Sequence, residues 1–523
     1  MLRFSKTIFI PLIAFPILIA THGFQNKGPS ASWVEHILGT SWLHFLFEIS
    51  LTVYIVFLGV HGMKRASTNV LQESLNQLTA KEKETLIKEW KPDPLVPVLQ
   101  VDKSKRMASH RPQLVCEGKV GKYVKINGRS YLNLASYNIL NFVGNSQLEE
   151  VAKKTIKSYG VGSCGPRGFY GTMDVHLQLE EKLAQFMECE EAILYSYGTA
   201  TISSAIPAYA KRGDLIFVDE GVNYAIQQGL TVSRSTLKYF RHNDLKHLES
   251  LLEDLQRSDQ IALNKPRRKF FDRDDVDHPS RRRVFLVVEG LYANYGDLSP
   301  LPQLIALKKR YKFRIFLDET YSIGIVGRTG RGVTEHFGVK REDVDLIAGS
   351  LEHSLGSTGG FCCGSSFIID HQRLSGLGYC FSASLPPLLA SAASAALDIV
   401  ANKPEMFEQL EVVSLAMHKR LSNIPGLVLD SWDASPIKHL RLQNPNGTLE
   451  EQYETLNRIV EHVFQNSRVV ILTAKYSPDE LIPVTPSIRV IVNVDLSEDE
   501  MDQAVDDLKK SCAEILSKHP LVQ

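Results

Sequence analysis

The 523 residues carry 59 basic and 59 acidic side chains, so no overall field draws the chain to nucleic acid, and the length suits a two-lobed core with an extension. Seven cysteines without a C-x-x-C pair, two of them adjacent at Cys362 and Cys363, fit neither a metal cage nor a disulfide framework. The soluble part is therefore expected in a reducing, cytosolic setting.

Residues 1–65 read as a membrane anchor. Thr7 to Ala20 is apolar but holds Pro11 and Pro16; behind Arg3 and Lys6 it reads as a signal-like region, a re-entrant segment or a short first span. Trp42 to Val60 has only His44 and Glu48 as strongly polar members. As a helix it would reach about 28 Å at ~1.5 Å per residue, enough for a hydrocarbon core of about 30 Å, so it is expected to cross the bilayer. Lys64 and Arg65 put its far end on the cytosolic side, and the large domain follows there whichever way the first segment runs. Glu48 either faces a partner helix or lies near the headgroups.

Residues 66–97 come next as an amphipathic helix and a proline-rich arm. Val70, Leu71, Leu75, Leu78, Leu86 and Ile87 give helical periodicity over 69–90, for a helix that lies on the membrane surface or packs on protein. Pro92, Pro94 and Pro97 then enforce an extended stretch.

A large domain is expected over 98–395 and a smaller α/β lobe over 396–523. Gly121 to Gly128 alternates and ends in Asn-Gly, a hairpin signal, and Leu132 to Ser136 supplies a strand. Glycines at 160, 162, 165, 168 and 171 make a tight loop in which Arg167 offers a planar cation; by itself this is either a domain-junction loop or a binding surface. Short apolar runs at 192–195, 215–218, 236–240, 284–288, 313–317 and 346–348, with helical patterns at 177–187 and 245–255, predict an open, mostly parallel sheet. Ser196 to Gly198, Asp219, His242, Glu289 and Asp318 follow the carboxyl ends of these runs, where such sheets bind ligands. His242 is expected to be a hydrogen-bonded structural residue. Residues 264–283, with eight basic and four acidic side chains, predict a mobile, exposed insertion, solvated or bound to a membrane or regulator. Leu388 to Val400 is expected to link the lobes as a helix; the small lobe then has helices over 406–421 and 498–517 and strands at 469–472 and 487–492.

Two stretches carry a family resemblance. Phe316 to Gly324 and Ala348 to Gly360 resemble the α-oxoamine synthases, fold-type I pyridoxal phosphate enzymes that carry Asp-x-x-His-Ser-x-Gly and Gly-Thr-x-x-Lys-x-x-Gly-x-x-Gly-Gly. Asp318 is in place to keep the cofactor's pyridine nitrogen protonated, but Tyr321 stands at the histidine and His353 at the lysine. A third motif, Asp-x-x-x-Asn-His-Ala, is matched by Asp219 to Ala225 with Tyr224 at its ring-stacking histidine. An imidazole cannot form an imine with the cofactor aldehyde, and no lysine occurs between Arg341 and Asn402. The resemblance implies a pyridoxal-transferase-like α/β fold with no catalytic residue and no cofactor of its own. Tyr224, Asp318, Tyr321 and His353 would be degenerate cofactor positions, and no metal is implied.

The branch of the family that fits such a chain with a membrane anchor is the non-catalytic subunits of serine palmitoyltransferase, and the match runs from about Lys81 to the C-terminus. It implies an endoplasmic reticulum membrane protein, in contact with membrane lipid, that forms a heterodimer with a lysine-bearing catalytic subunit 2. That partner carries pyridoxal 5'-phosphate and condenses L-serine with palmitoyl-CoA to 3-ketosphinganine, CO2 and CoA. A small activating subunit and regulatory membrane proteins are further implied partners. Tyr159 to Thr172 is the most specific match, and it implies that Cys164, Arg167, Phe169 and Tyr170 face the partner, as does Ser384 in Phe381 to Pro387. Arg489 resembles the family arginine that holds an amino-acid carboxylate, or is a structural strand residue. Two other readings stay open: an independent pyridoxal phosphate acyltransferase using a displaced lysine, and a purely scaffolding membrane protein.

Overall fold

The computed structural model describes residues 49–57, 79–91, 114–264, 282–477 and 480–517. The segment at 7–20, Glu48, the proline arm at 92–97 and residues 265–281 of the insertion lie outside these residues. Residues 1–111 and 112–523 are separate compact units.

In the first unit, residues 49–57 of the expected 42–60 span are helical, with Val53 and Phe57 exposed. Among the described residues, no helix is long and apolar enough to cross a membrane. Of the amphipathic pattern, Ala80–Glu89 is a helix opened by a capping box in which Thr79 and Glu82 satisfy each other's backbone N–H groups. Its apolar residues Leu86 and Ile87 are exposed.

The second unit is built on a seven-stranded sheet in the order 191–195, 360–364, 346–350, 314–318, 284–289, 215–219, 236–240. The five strands from 346–350 to 236–240 are parallel, whereas Gly360–Gly364 runs antiparallel to both neighbours. The parallel strands are covered on both faces: Phe217, Leu286 and Leu317 enter one apolar cluster, and Ile216, Val287 and Phe316 enter the other. That explains their unbroken apolar runs. The 360–364 strand is not legible as one, because Gly360 and Gly364 replace the β-branched residues that usually mark strands. Crowding demands the first glycine, since a Cβ there would lie 2.3 Å from Thr201 Oγ1.

The helix Pro387–Asn402 packs against Ser146–Tyr159 and Asp174–Phe186. The small lobe is an antiparallel sheet in the order 427–429, 437–442, 488–491, 472–473, packed with the helices Glu405–Leu421, Leu449–Asn466 and Glu498–Leu516. The hairpin forms with Asn127 and Gly128 both at positive φ, the geometry of a type I′ turn. Its second strand is Arg129–Asn133, earlier than the run expected to start at Leu132, because the Asn133 side chain bonds the backbone of Ala135 and Ser136 and ends the extended run. Two residues assigned to the mobile insertion are anchored: Arg282 pairs with Asp259 and Arg283 with Asp214, both at 2.6 Å.

Candidate functional site

Asp318 ends the 314–318 strand with its carboxylate buried. It accepts hydrogen bonds at 3.0 Å from the Asn223 side-chain amide and from the Thr320 backbone. Glu289 ends the neighbouring strand, in register with Asp318, and accepts from the backbone N–H groups of Asn223 and Ala293. Burial pushes both carboxyl groups above the usual range, and Asp318 raises Glu289 further.

Beside this pair aromatic side chains pack on one another. Tyr321 and His353 stack at 4.5 Å between centroids and 11° between planes. Tyr137 leans on both, at 5.2 and 4.9 Å, and the Arg489 guanidinium lies 4.6 Å over Tyr137. Burial, helped by the nearby Arg489 cation, pushes the His353 imidazole down to about 4, so it stands neutral at physiological pH. Tyr224 is the first residue of the helix Tyr224–Ser233 and, among the described residues, takes no part in the stack. Of the four expected degenerate positions, three therefore converge: Asp318, Tyr321 and His353.

The anion end is filled as well. The helix Gly198–Tyr209 follows the end of the 191–195 strand, but its N-cap, Tyr197, supplies no side-chain acceptor. Glu352 Oε1 accepts from the N–H of Gly198 at 3.1 Å and of Gly359 at 3.3 Å. Pyridoxal phosphate needs an amine, a slot for its ring and donors free for its phosphate. These residues offer an imidazole, an aromatic stack and two N–H donors already bonded to a carboxylate, and in these three respects they depart from that set.

The displaced-lysine reading has an evident candidate in Lys438, whose ammonium burial pushes down to about 7. Its Nζ donates to the carbonyls of Asp433 at 2.6 Å and Trp432 at 3.2 Å, beside His418. Side chains alternate along the 437–442 strand, and the next residue, His439, is the one that reaches the Ala293 carbonyl beside Glu289. Lys438 therefore points away from Asp318.

His242 is structural, as expected. Its ring nitrogens donate to Asp219 at 2.8 Å and Asp297 at 3.0 Å, and it stacks on Tyr295 at 3.9 Å. Burial opposes its charge, but the two carboxylates prevail and push it up to about 10.

The glycine-rich loop divides the five residues expected to face a partner. Arg167 makes a two-pronged ion pair with Glu180 at 2.8 and 2.9 Å and bonds Thr172 Oγ1 at 3.0 Å, with its side chain 5 % exposed. Ser384 donates through its hydroxyl and its backbone N–H to the Gly165 carbonyl. Both lie buried beneath the loop and anchor it; a guanidinium with a buried carboxylate in reach satisfies its donors internally. Cys164, Phe169 and Tyr170 are exposed, Phe169 at 65 % and Tyr170 fully, and Cys164 and Tyr170 hold positive φ angles of 61° and 68°. Two side chains rarely found in that region are kept there by the anchored loop.

The residues overlooked in the sequence are Tyr137, Glu180 and Glu352. Glu180 had a signal: it falls between Leu179 and Leu183 and one turn after His176, on the face its helix buries. A tyrosine at the N-cap of a glycine-started helix likewise announced an outside acceptor.

Residues 129–508 match the model of the class I and II aminotransferase family. A Dictyostelium discoideum protein named serine palmitoyltransferase 1 is 41% identical over 452 residues, covering 84% of this chain and 89% of its own. An Arabidopsis thaliana protein named long chain base biosynthesis protein 1 is 37% identical over 475 residues, covering 91% and 92%. The solved Sphingomonas wittichii serine palmitoyltransferase shares the fold with a TM-score of 0.65 at 23% identity, over 86% of this chain and 99% of that one. With its mixed sheet, Asp318 at a strand end and the altered motifs around it, the chain belongs to the class I and II aminotransferase family, in the group that its relatives named serine palmitoyltransferase 1 and long chain base biosynthesis protein 1 represent.

Proposed function

We propose that this chain is the non-catalytic, required subunit of a serine palmitoyltransferase and acts in the formation of sphingolipid long-chain bases. A lysine-bearing subunit 2 holds the pyridoxal phosphate and joins L-serine to palmitoyl-CoA, giving 3-ketosphinganine, CO2 and CoA. One observation carries the reading: inside an intact family fold, His353 stands at the lysine position, stacked on Tyr321 as a neutral imidazole. The names of the relatives supply the reaction.

This chain's part is to complete the partner's site from outside. Phe169 and Tyr170 present apolar area on a braced loop, and exposed aromatics of that kind are suited to exclude water from a facing active site. Cys164 is exposed on the same loop. The 42–60 segment anchors the complex in the endoplasmic reticulum membrane with the large domain in the cytosol, where small activating and regulatory membrane proteins reach it. Co-expression tests the reading: serine-dependent CoA release is expected only when this chain is made together with a lysine-bearing relative. Turnover by this chain alone would overturn it.

A further inference from the structure

The first N–H groups of a helix have no partner within it, and the aligned peptide dipoles leave that end partly positive. At Gly198 this end is not met locally, since Tyr197 gives no side-chain acceptor and the first turn contains no acidic residue. The acceptor comes from 154 residues further along the chain, from Glu352. A Cβ on Gly198 would lie only 3.1 Å from Glu352 Cδ and Oε1, which is how closely the carboxylate is seated. Its second donor, Gly359, holds φ at +105°, a conformation that side chains rarely adopt, and a Cβ there would lie 2.7 Å from the Tyr195 carbonyl.

Glu352 is also held from behind. Its own N–H donates to Ser350 Oγ at 3.0 Å, its carbonyl accepts from Gly356, and the same turn is closed by Ser357 N–H on the Leu351 carbonyl. Withdrawing the carboxylate would mean undoing this turn or leaving two N–H donors bare. A phosphate brought to the same place would meet the Gly198 and Gly359 N–H groups already engaged and a carboxylate beside them.

We infer that Glu352 is a built-in substitute for the cofactor's phosphate, so that this chain shuts out pyridoxal phosphate by filling the site with its own side chains and not only by lacking an amine. The inference rests on reading the chain as a degenerate member of its family and deepens that reading. It assigns two halves to the barrier: Glu352 fills the anion end, and the Tyr321–His353 stack fills the ring end.

The test uses the purified full chain and inorganic phosphate, which probes the anion end without the ring. The wild type is expected to unfold at the same temperature in phosphate as in chloride of equal ionic strength. Glu352→Ala is expected to gain a phosphate-dependent rise in Tm of roughly 2 °C or more once phosphate exceeds its Kd tenfold. Glu352→Gln, which keeps an oxygen in the cup, is expected to stay indifferent to phosphate. Should Glu352→Ala fail to fold, Glu352→Ser serves as the opened cup. Phosphate-dependent stabilisation of the wild type overturns the inference, as does a folded Glu352→Ala or Glu352→Ser chain without it. Because the readout is phosphate binding by this chain alone, its failure leaves the co-expression result untouched, and the reverse holds too.

Discussion

The cofactor end of the fold and the glycine-rich loop have departed from solvent in opposite ways. At the first, Tyr137, Tyr321 and His353 pack on one another and Glu352 closes on the N–H groups of Gly198 and Gly359. At the second, the buried Arg167–Glu180 pair and the Ser384 bonds face inward so that Phe169 and Tyr170 can stand out. One region thus holds its polar groups by packing them on its own side chains, while the other keeps its exposure by being braced from below.

The strongest way to break that contrast is to remove the brace. Arg167→Ala leaves the Glu180 carboxylate buried without its partner, and the cost is expected at about 3–5 kcal/mol, read as a lower denaturant midpoint. Replacing Arg167 and Glu180 together by apolar residues of similar volume should recover most of that loss, because no charge is then stranded.

A second expectation concerns His242, which locks the strand ends beside the filled site. Its folded pKa of about 10 lies above the ordinary value near 6.5, so its contribution is fully present below about 6.5 and is lost as pH rises through 10. Unfolding midpoints should fall across that window, and His242→Gln should flatten the fall while lowering stability at neutral pH.

Smaller in stability but decisive for the outward region, Phe169→Ala and Tyr170→Ala should shift folding by no more than about 0.5 kcal/mol, since both side chains are exposed. Partner turnover or substrate choice should nonetheless change; a chain that only scaffolds would leave both unaltered. The least effect is expected of His353→Lys. On the proposed reading, an amine introduced there alone should give no cofactor absorbance, because the Tyr321 ring and the Glu352 carboxylate bonded to Gly198 remain in place.

The parallel strands were legible because burial on both faces writes itself as short apolar runs, and Asp318, Tyr321 and His353 were legible because their motif frames survive. The facing of Arg167 was not, since a planar cation reads alike whether its carboxylate is in the same chain or another. Glu352 was hidden for a different reason: its meaning depends on a helix end 154 residues away, and no local pattern records a closure of that length. The strand 360–364 was masked by its two end glycines, the first of which crowding, not turning, requires.

The paired acids at the strand ends have one more consequence. Burial raises Glu289 and Asp318 together, with Asn223 bridging them, so over the range between their ordinary and their raised values folding draws hydrogen ions from the medium. Above the ordinary carboxylate range and below those raised values, the heat of unfolding should vary with the ionisation enthalpy of the buffer, in the sense of release on unfolding, and Asp318→Asn should reduce that dependence.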